Sequence, residues 1–189
     1  NDAARRVKRY ARDRQAGQRY RIELWCESAG MAPQLARVAS AYSIPVYSAG
    51  GYTSLTGIRQ IVDRACERHT PTALLHVGDH DPSGVSIFEA LVADVSAFLA
   101  VDRRLALQQI VPCRVALTPE QINRYRLPTA PPKRSDSRSR GWVGETCQLE
   151  ALAPDQLAHE LSAAIECFID LGRFDAVVER EKSERVELL

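Results

Sequence analysis

Apolar and polar positions along the chain alternate between two periods. Short apolar runs, Arg21-Ile22-Glu23-Leu24-Trp25-Cys26, Ile44-Pro45-Val46, Thr72-Ala73-Leu74-Leu75-His76-Val77 and Gln109 to Ala116, are bounded by turn residues and read as strands. Between them lie stretches with apolar residues three and four apart, predicting helices from about 29 to 41, 54 to 68 and 83 to 100. The strand between the first two of these helices is expected over Pro45–Ser48. A strand that recurs after every helix implies a parallel sheet with helices on both faces, a Rossmann-like α/β fold. Ile44-Pro45-Val46 and Ala73-Leu74-Leu75 are short and apolar, as strands covered on both faces should be.

The pattern differs at the two ends. Residues 3 to 16 read as a basic helical lead-in within 1–20, and the sheet core spans 21–117. Thr118-Pro119-Glu120 starts a short helix, with Thr118 as cap and Pro119 in the first turn. The rest, 118–189, forms a C-terminal extension. It holds a proline-, serine- and arginine-rich segment, 127–143, expected to be a mobile loop, and a helical region from about Pro154 that breaks around Gly172.

The run Gly78-Asp79-His80-Asp81-Pro82-Ser83-Gly84 brings chemistry into this frame. Residues i and i+2 of an extended segment point the same way, so Asp79 and Asp81 can converge on one cation while His80 points elsewhere. Pro82 suits the first turn of the next helix, and Asp81 is equally a candidate for its N-cap. Glu27 occupies the matching place after the first strand, with Ser28 able to cap the following helix. Acids at the carboxyl ends of parallel strands lie on the edge where open α/β sheets bind ligands.

A Glu at one strand end and Asp-x-Asp at another resembles the Toprim domain, the superfamily of topoisomerases, bacterial primases and overcoming-lysogenisation-defect nucleases. The Gly-Asp-His-Asp-Pro-Ser-Gly form and the loop Ser48-Ala49-Gly50-Gly51-Tyr52 are most similar to the A subunit of type IIB topoisomerases and its meiotic double-strand-break relatives. The resemblance covers roughly residues 21 to 117. It implies that Asp79 and Asp81 hold Mg2+ or Mn2+, that Glu27 acts as general acid/base or as a further metal ligand, and that these three are the catalytic set. Glu145 and Glu150, ahead of the last helices, are additional acids that could approach the same edge. Relatives of this type carry the sheet onward there.

The expected activity is metal-dependent chemistry on DNA phosphodiester bonds, nuclease or strand-breaking. The alternative is a non-catalytic metal- and nucleic-acid-binding module of a larger protein or complex. A primase-type nucleotidyl transferase is disfavoured because no zinc-binding module is found. The topoisomerase relatives cut with a tyrosine in a winged-helix domain upstream, whereas only twenty residues precede the first strand here, and Tyr10 and Tyr20 lie too close to it. An activated water is therefore the more natural nucleophile. The one methionine is Met31, so a fragment or a processed chain is expected, and a missing N-terminal domain or a partner protein is a candidate to act with it.

Composition adds limits. At 189 residues, 45% hydrophobic and 26% charged, the chain can bury a substantial core. Cysteines at 26, 66, 113, 147 and 167, an odd number without any Cys-x-x-Cys pair, argue against a disulfide framework and a zinc knuckle. No signal peptide is evident and no apolar run is expected to reach the ~20 residues of a bilayer span, so no membrane association and a cytoplasmic location are expected. The net charge of +1 hides basic segments that include Arg5, Arg6 and Arg9, then Lys133, Arg134, Arg138 and Arg140. These are candidate phosphate contacts, or solvated surface, while the tail from Asp155 onward is acid-rich.

Overall fold

The computed structural model describes residues 10–48, 55–67, 70–101, 110–133, 135 and 137–188. Its elements are β1 (Arg21–Cys26), α1 (Ala32–Ala39), β2 (Val46–Ser48), α2 (Leu55–Glu67), β3 (Thr72–Val77), α3 (Pro82–Val101), β4 (Ile110–Ala116), α4 (Pro119–Tyr125), α5 (Pro154–Glu166) and α6 (Leu171–Glu187). The four strands form one parallel sheet in the order β2-β1-β3-β4. This is an α/β fold of Rossmann-like type.

Alternation along each strand divides the core into two layers. Leu24, Leu75 and Val77 pack with Leu35 of α1 and Leu157 and Leu161 of α5. Trp25 and Leu74 face the other way, against Ile61 and Val62 of α2 and Leu91 and Val95 of α3. Helices therefore cover both faces, as the apolar strands require. On the second face the buried Glu23 is held in a two-pronged ion pair by Arg64, at 2.8 and 3.0 Å, with the Arg64 guanidinium 4.5 Å from the Tyr47 ring.

The strand order reverses between β1 and β3: β2 lies outside β1 on one side, and β3 and β4 continue on the other. Connections diverge there and leave a crevice at the carboxyl ends of β1 and β3. Glu27 follows β1 and Asp79 follows β3.

Several expectations need correction. Residues 10–16 of the predicted basic helix are irregular and then turn; the part before Tyr10 lies outside the described residues. Tertiary bonds outcompete helix formation here: the Arg12 N–H donates to Glu181 Oε2 at 2.9 Å, and the Gln15 side chain bridges Ile22 N–H and Ser43 carbonyl, at 2.6 and 2.9 Å. The break between the last helices falls at 167–170, ahead of Gly172. Asp170 sets it by accepting the Arg173 N–H at 3.0 Å as an N-cap, which leaves Gly172 inside the first turn of α6. No fifth strand joins the sheet among the described residues; 144–147 makes only isolated bridges, His80 with Cys147 and Ala130 with Thr146. Finally, α3 is long and apolar enough to cross a membrane, with a mean hydropathy of 1.8, contrary to the expectation that no run reaches that length. In this fold it lies on the sheet beside α2 through Leu91, Val95 and Leu99.

Thr118 caps α4 as its sequence predicts. Its hydroxyl oxygen accepts the Gln121 N–H at 3.3 Å, and Gln121 Oε1 accepts the Thr118 N–H at 3.0 Å.

Candidate metal centre

Backbone bonds at the strand ends place the acids. Glu27 N–H donates to the Val77 carbonyl at 3.1 Å, which continues the β1–β3 ladder by one step, and Gly78 N–H donates to the Ala116 carbonyl at 2.9 Å. The chain then turns from β3 into α3. Glu27 reaches under that turn, where its Oε2 accepts the Asp79 N–H at 3.3 Å. A Cβ at Gly78 would lie 2.8 Å from Glu27 Oε2 and 2.9 Å from His76 Cε1. One at Gly84 would lie 2.8 Å from Glu27 Oε2, 2.7 Å from the Asp79 carbonyl oxygen and 3.4 Å from Asp81 Oδ1. Both glycines are thus steric requirements for bringing these acids together, and two of the carboxylates approach one spot from different elements.

The N-cap reading of Asp81 is met, and the same side chain faces the cleft. Its Oδ1 accepts the Gly84 N–H at 2.7 Å and so caps α3, while its side chain also lines the cleft in front of Asp79. Asp79 Oδ1 accepts the Leu149 N–H at 2.8 Å, so the segment ahead of α5 helps to orient it. Burial raises the carboxyls of both Glu27 and Asp79 above their usual range. The charge of Asp79 adds to this at Glu27, and the charges of Glu150 and Asp81 add to it at Asp79.

Arg114 and His76 belong to this site although no sequence motif contains them. They sit side by side in register on β4 and β3. Arg114 donates to the carbonyls of Gly78 and Gly84, at 3.3 and 3.4 Å, to that of Leu117 at 3.3 Å and, through Nη2, to that of Asp79. Its Nη1 lies 3.2 Å from His76 Nδ1. Burial, with the neighbouring guanidinium, pushes His76 down to about 3, so the ring is neutral and Nδ1 can accept from Arg114. The imidazole stacks on Phe88 at 4.3 Å. The guanidinium thus hydrogen-bonds the backbone oxygens of the turn, and its charge acts on the neighbouring Glu27, Asp79 and Asp81. The available signal was an arginine within the apolar run Ile110–Ala116, but its significance depends on a strand partner remote in sequence.

Of the additional acids, Glu150 comes to the site and Glu145 does not. Glu150 lines the cleft of about 620 Å3 that also holds Asp79 and Asp81, and a smaller crevice of about 280 Å3 with Glu27 and Asp79. Glu145 accepts a hydrogen bond from Thr129 Oγ1 on the exposed side. Among the basic residues, Lys133 lines the larger cleft, Arg138 reaches Ser83 Oγ at 3.4 Å, and Arg140 is exposed. Arg5, Arg6, Arg9 and Arg134 lie outside the described residues, as does most of the Gly50-Gly51 loop. The expected mobile loop 127–143 carries these tethers in its described part. Arg12 and Arg14 are occupied elsewhere, in ion pairs with Glu184 and Glu181 of α6.

Among the described residues no three His, Cys, Asp or Glu side chains form a ready-made metal cage. The donors available are hard carboxylate oxygens, which suit Mg2+ or Mn2+. Mg2+ is commonly held by one or two carboxylates, several waters and a substrate phosphate, without a closed protein cage. The donor chemistry fits such an ion. No protein-family model and no curated protein matches this chain.

Proposed function

We propose that this protein is a divalent-metal-dependent phosphodiesterase of the Toprim kind that acts on DNA in the cytoplasm, by hydrolysis or by strand breaking. The observation that carries the reading is the gathering of Glu27, Asp79 and Asp81 at the β1/β3 crevice, with the neighbouring Arg114 bonded to backbone carbonyls. Gathering like charges is costly unless a cation joins them.

Asp79 and Asp81 would hold the ion, with Glu150 within reach of the same cleft. A bound Mg2+ polarises a phosphoryl oxygen and makes bound water a better nucleophile. Glu27 would take up or release the proton, a role supported by the raised proton affinity of its half-buried carboxyl. A tyrosine nucleophile finds no support in the positions of Tyr10 and Tyr20. The Tyr10 hydroxyl donates to Glu184 Oε2 at 2.6 Å, and the Tyr20 ring packs edge-on against Phe168 with centroids 5.4 Å apart.

Cleavage of circular DNA, single-stranded and supercoiled plasmid in parallel, tests the proposal. Cleavage should require Mg2+ or Mn2+, fall by at least about a hundredfold in Glu27→Ala, as for loss of a general acid/base, and leave DNA ends free of protein. Metal-dependent binding without cleavage under either ion would instead support a binding module. A protein–DNA adduct would reinstate covalent chemistry.

A further inference from the structure

The cleft in front of Asp79 and Asp81 has a facing wall of different chemistry, built from Pro128, Ala130, Pro131 and Lys133. This wall is pinned in place. Ala130 and Thr146 exchange backbone hydrogen bonds at 2.9 and 2.7 Å, and Cys147 and His80 exchange theirs at 3.0 and 2.9 Å. The Trp142 ring packs against His80 with centroids 5.1 Å apart, and Arg138 reaches Ser83 in the first turn of α3. The segment between α4 and α5 therefore crosses in front of the acid edge and is fastened to it on both sides of Asp81.

We infer that this cleft takes one nucleotide unit of a single strand, in preference to the backbone of an intact duplex; the inference rests on the metal-dependent reading above. The cleft's volume of about 620 Å3 falls within the roughly 300–1,000 Å3 of sites that enclose a small ligand. Acids on one wall require a cation before a phosphate can approach, and the Lys133 ammonium on the other wall is free of that requirement. Pro128, Pro131 and Ala151 add apolar surface for a sugar or base. A double helix presents its phosphates on a stiff convex surface, which the pinned wall holds away from Asp79 and Asp81. A single strand bends and can lower one nucleotide between the walls.

Fluorescence anisotropy with a short end-labelled single strand and the same sequence as a duplex, each with and without Mg2+, tests this, with magnesium calorimetry alongside. The single strand should bind at least about tenfold more tightly than the duplex when Mg2+ is present. Lys133→Glu, which removes a charge-assisted phosphate contact, and Ala130→Trp, which fills the cleft, should each weaken strand binding by about tenfold while magnesium binding stays intact. Equal or tighter duplex binding, or undiminished strand binding in both variants, overturns the cleft assignment alone. Absence of magnesium binding in the unaltered protein overturns the metal reading beneath it.

Discussion

Two charged clusters at different places in the molecule follow different rules. Where residues 10–14 meet α6, every acid has a cation: Arg12 pairs with Glu184, and Arg14 and Arg185 pair with Glu181, at 3.0 and 2.9 Å, around a carboxylate that is 1% exposed. At the carboxyl edge of β1 and β3 the acids meet one another, and the adjacent guanidinium is bonded to carbonyls. The first arrangement closes the fold by tying its first described residues to its last helix. The second gathers carboxylates at a cleft, where burial and mutual repulsion raise Glu27 and Asp79 against the opposing charge of Arg114. Proton binding differs in the same sense. Burial raises the Glu27 carboxyl, whereas the Arg14 and Arg12 hydrogen bonds outweigh burial and hold Glu181 below the usual range.

Removing the Glu181 carboxylate should have the largest effect on stability. Glu181→Ala should cost about 2 kcal/mol in urea denaturation, less than the roughly 3–5 kcal/mol of a fully buried pair because Arg14 and Arg185 stay partly in water. It should not change magnesium affinity. A variant that loses magnesium binding would break the distinction between the clusters.

Arg114→Lys probes the other side. A lysine keeps the charge but loses the fork that reaches several carbonyls, so magnesium affinity should fall about tenfold, or ~1.4 kcal/mol, as for other groups that orient metal ligands. Tighter binding would show that the guanidinium competes with the metal.

Smaller effects separate cap from repulsion. In metal-free buffer Asp81→Ala should lose about 1 kcal/mol because it uncaps α3, whereas Glu27→Gln should be neutral or stabilising near neutral pH. The pH trends should oppose each other. A carboxyl raised above its usual 4.5, as at Glu27, contributes stability that is fully present below 4.5 and lost as pH rises through the folded-state value. A carboxyl depressed from the same value, as at Glu181, contributes stability present above 4.5 and lost as pH falls through its folded-state value. Urea titrations between about pH 3 and pH 7 should therefore show Glu27→Gln gaining on the unaltered protein as pH rises above 4.5 and Glu181→Gln gaining on it as pH falls below 4.5. Parallel trends would contradict the comparison.

The sheet was legible in sequence because its determinants are local. The apolar runs of β1 and β3, the Thr118-Pro119 cap and the helix start at Pro82 all appear where the pattern puts them. The acids were legible for the same reason, since a strand end followed by a helix start is written in consecutive residues. What escaped notice depends on remote partners. Arg12 and Glu184 are 172 positions apart, so the basic lead-in read as free charge and as helix. Arg114 gained its role from pairing with His76 across β3 and β4. Glu150 and Glu145 looked alike, and the bond from Leu149 N–H to Asp79, which draws only the former to the edge, is a tertiary contact.

Isothermal titration of Mg2+ into the unaltered protein and into Asp79→Ala/Asp81→Ala decides whether the crevice binds metal. Saturable binding is expected in the first and none in the second, with both proteins folded by circular dichroism. Equal magnesium affinity in the two would contradict the claim that the acids at the β1/β3 crevice are a metal site.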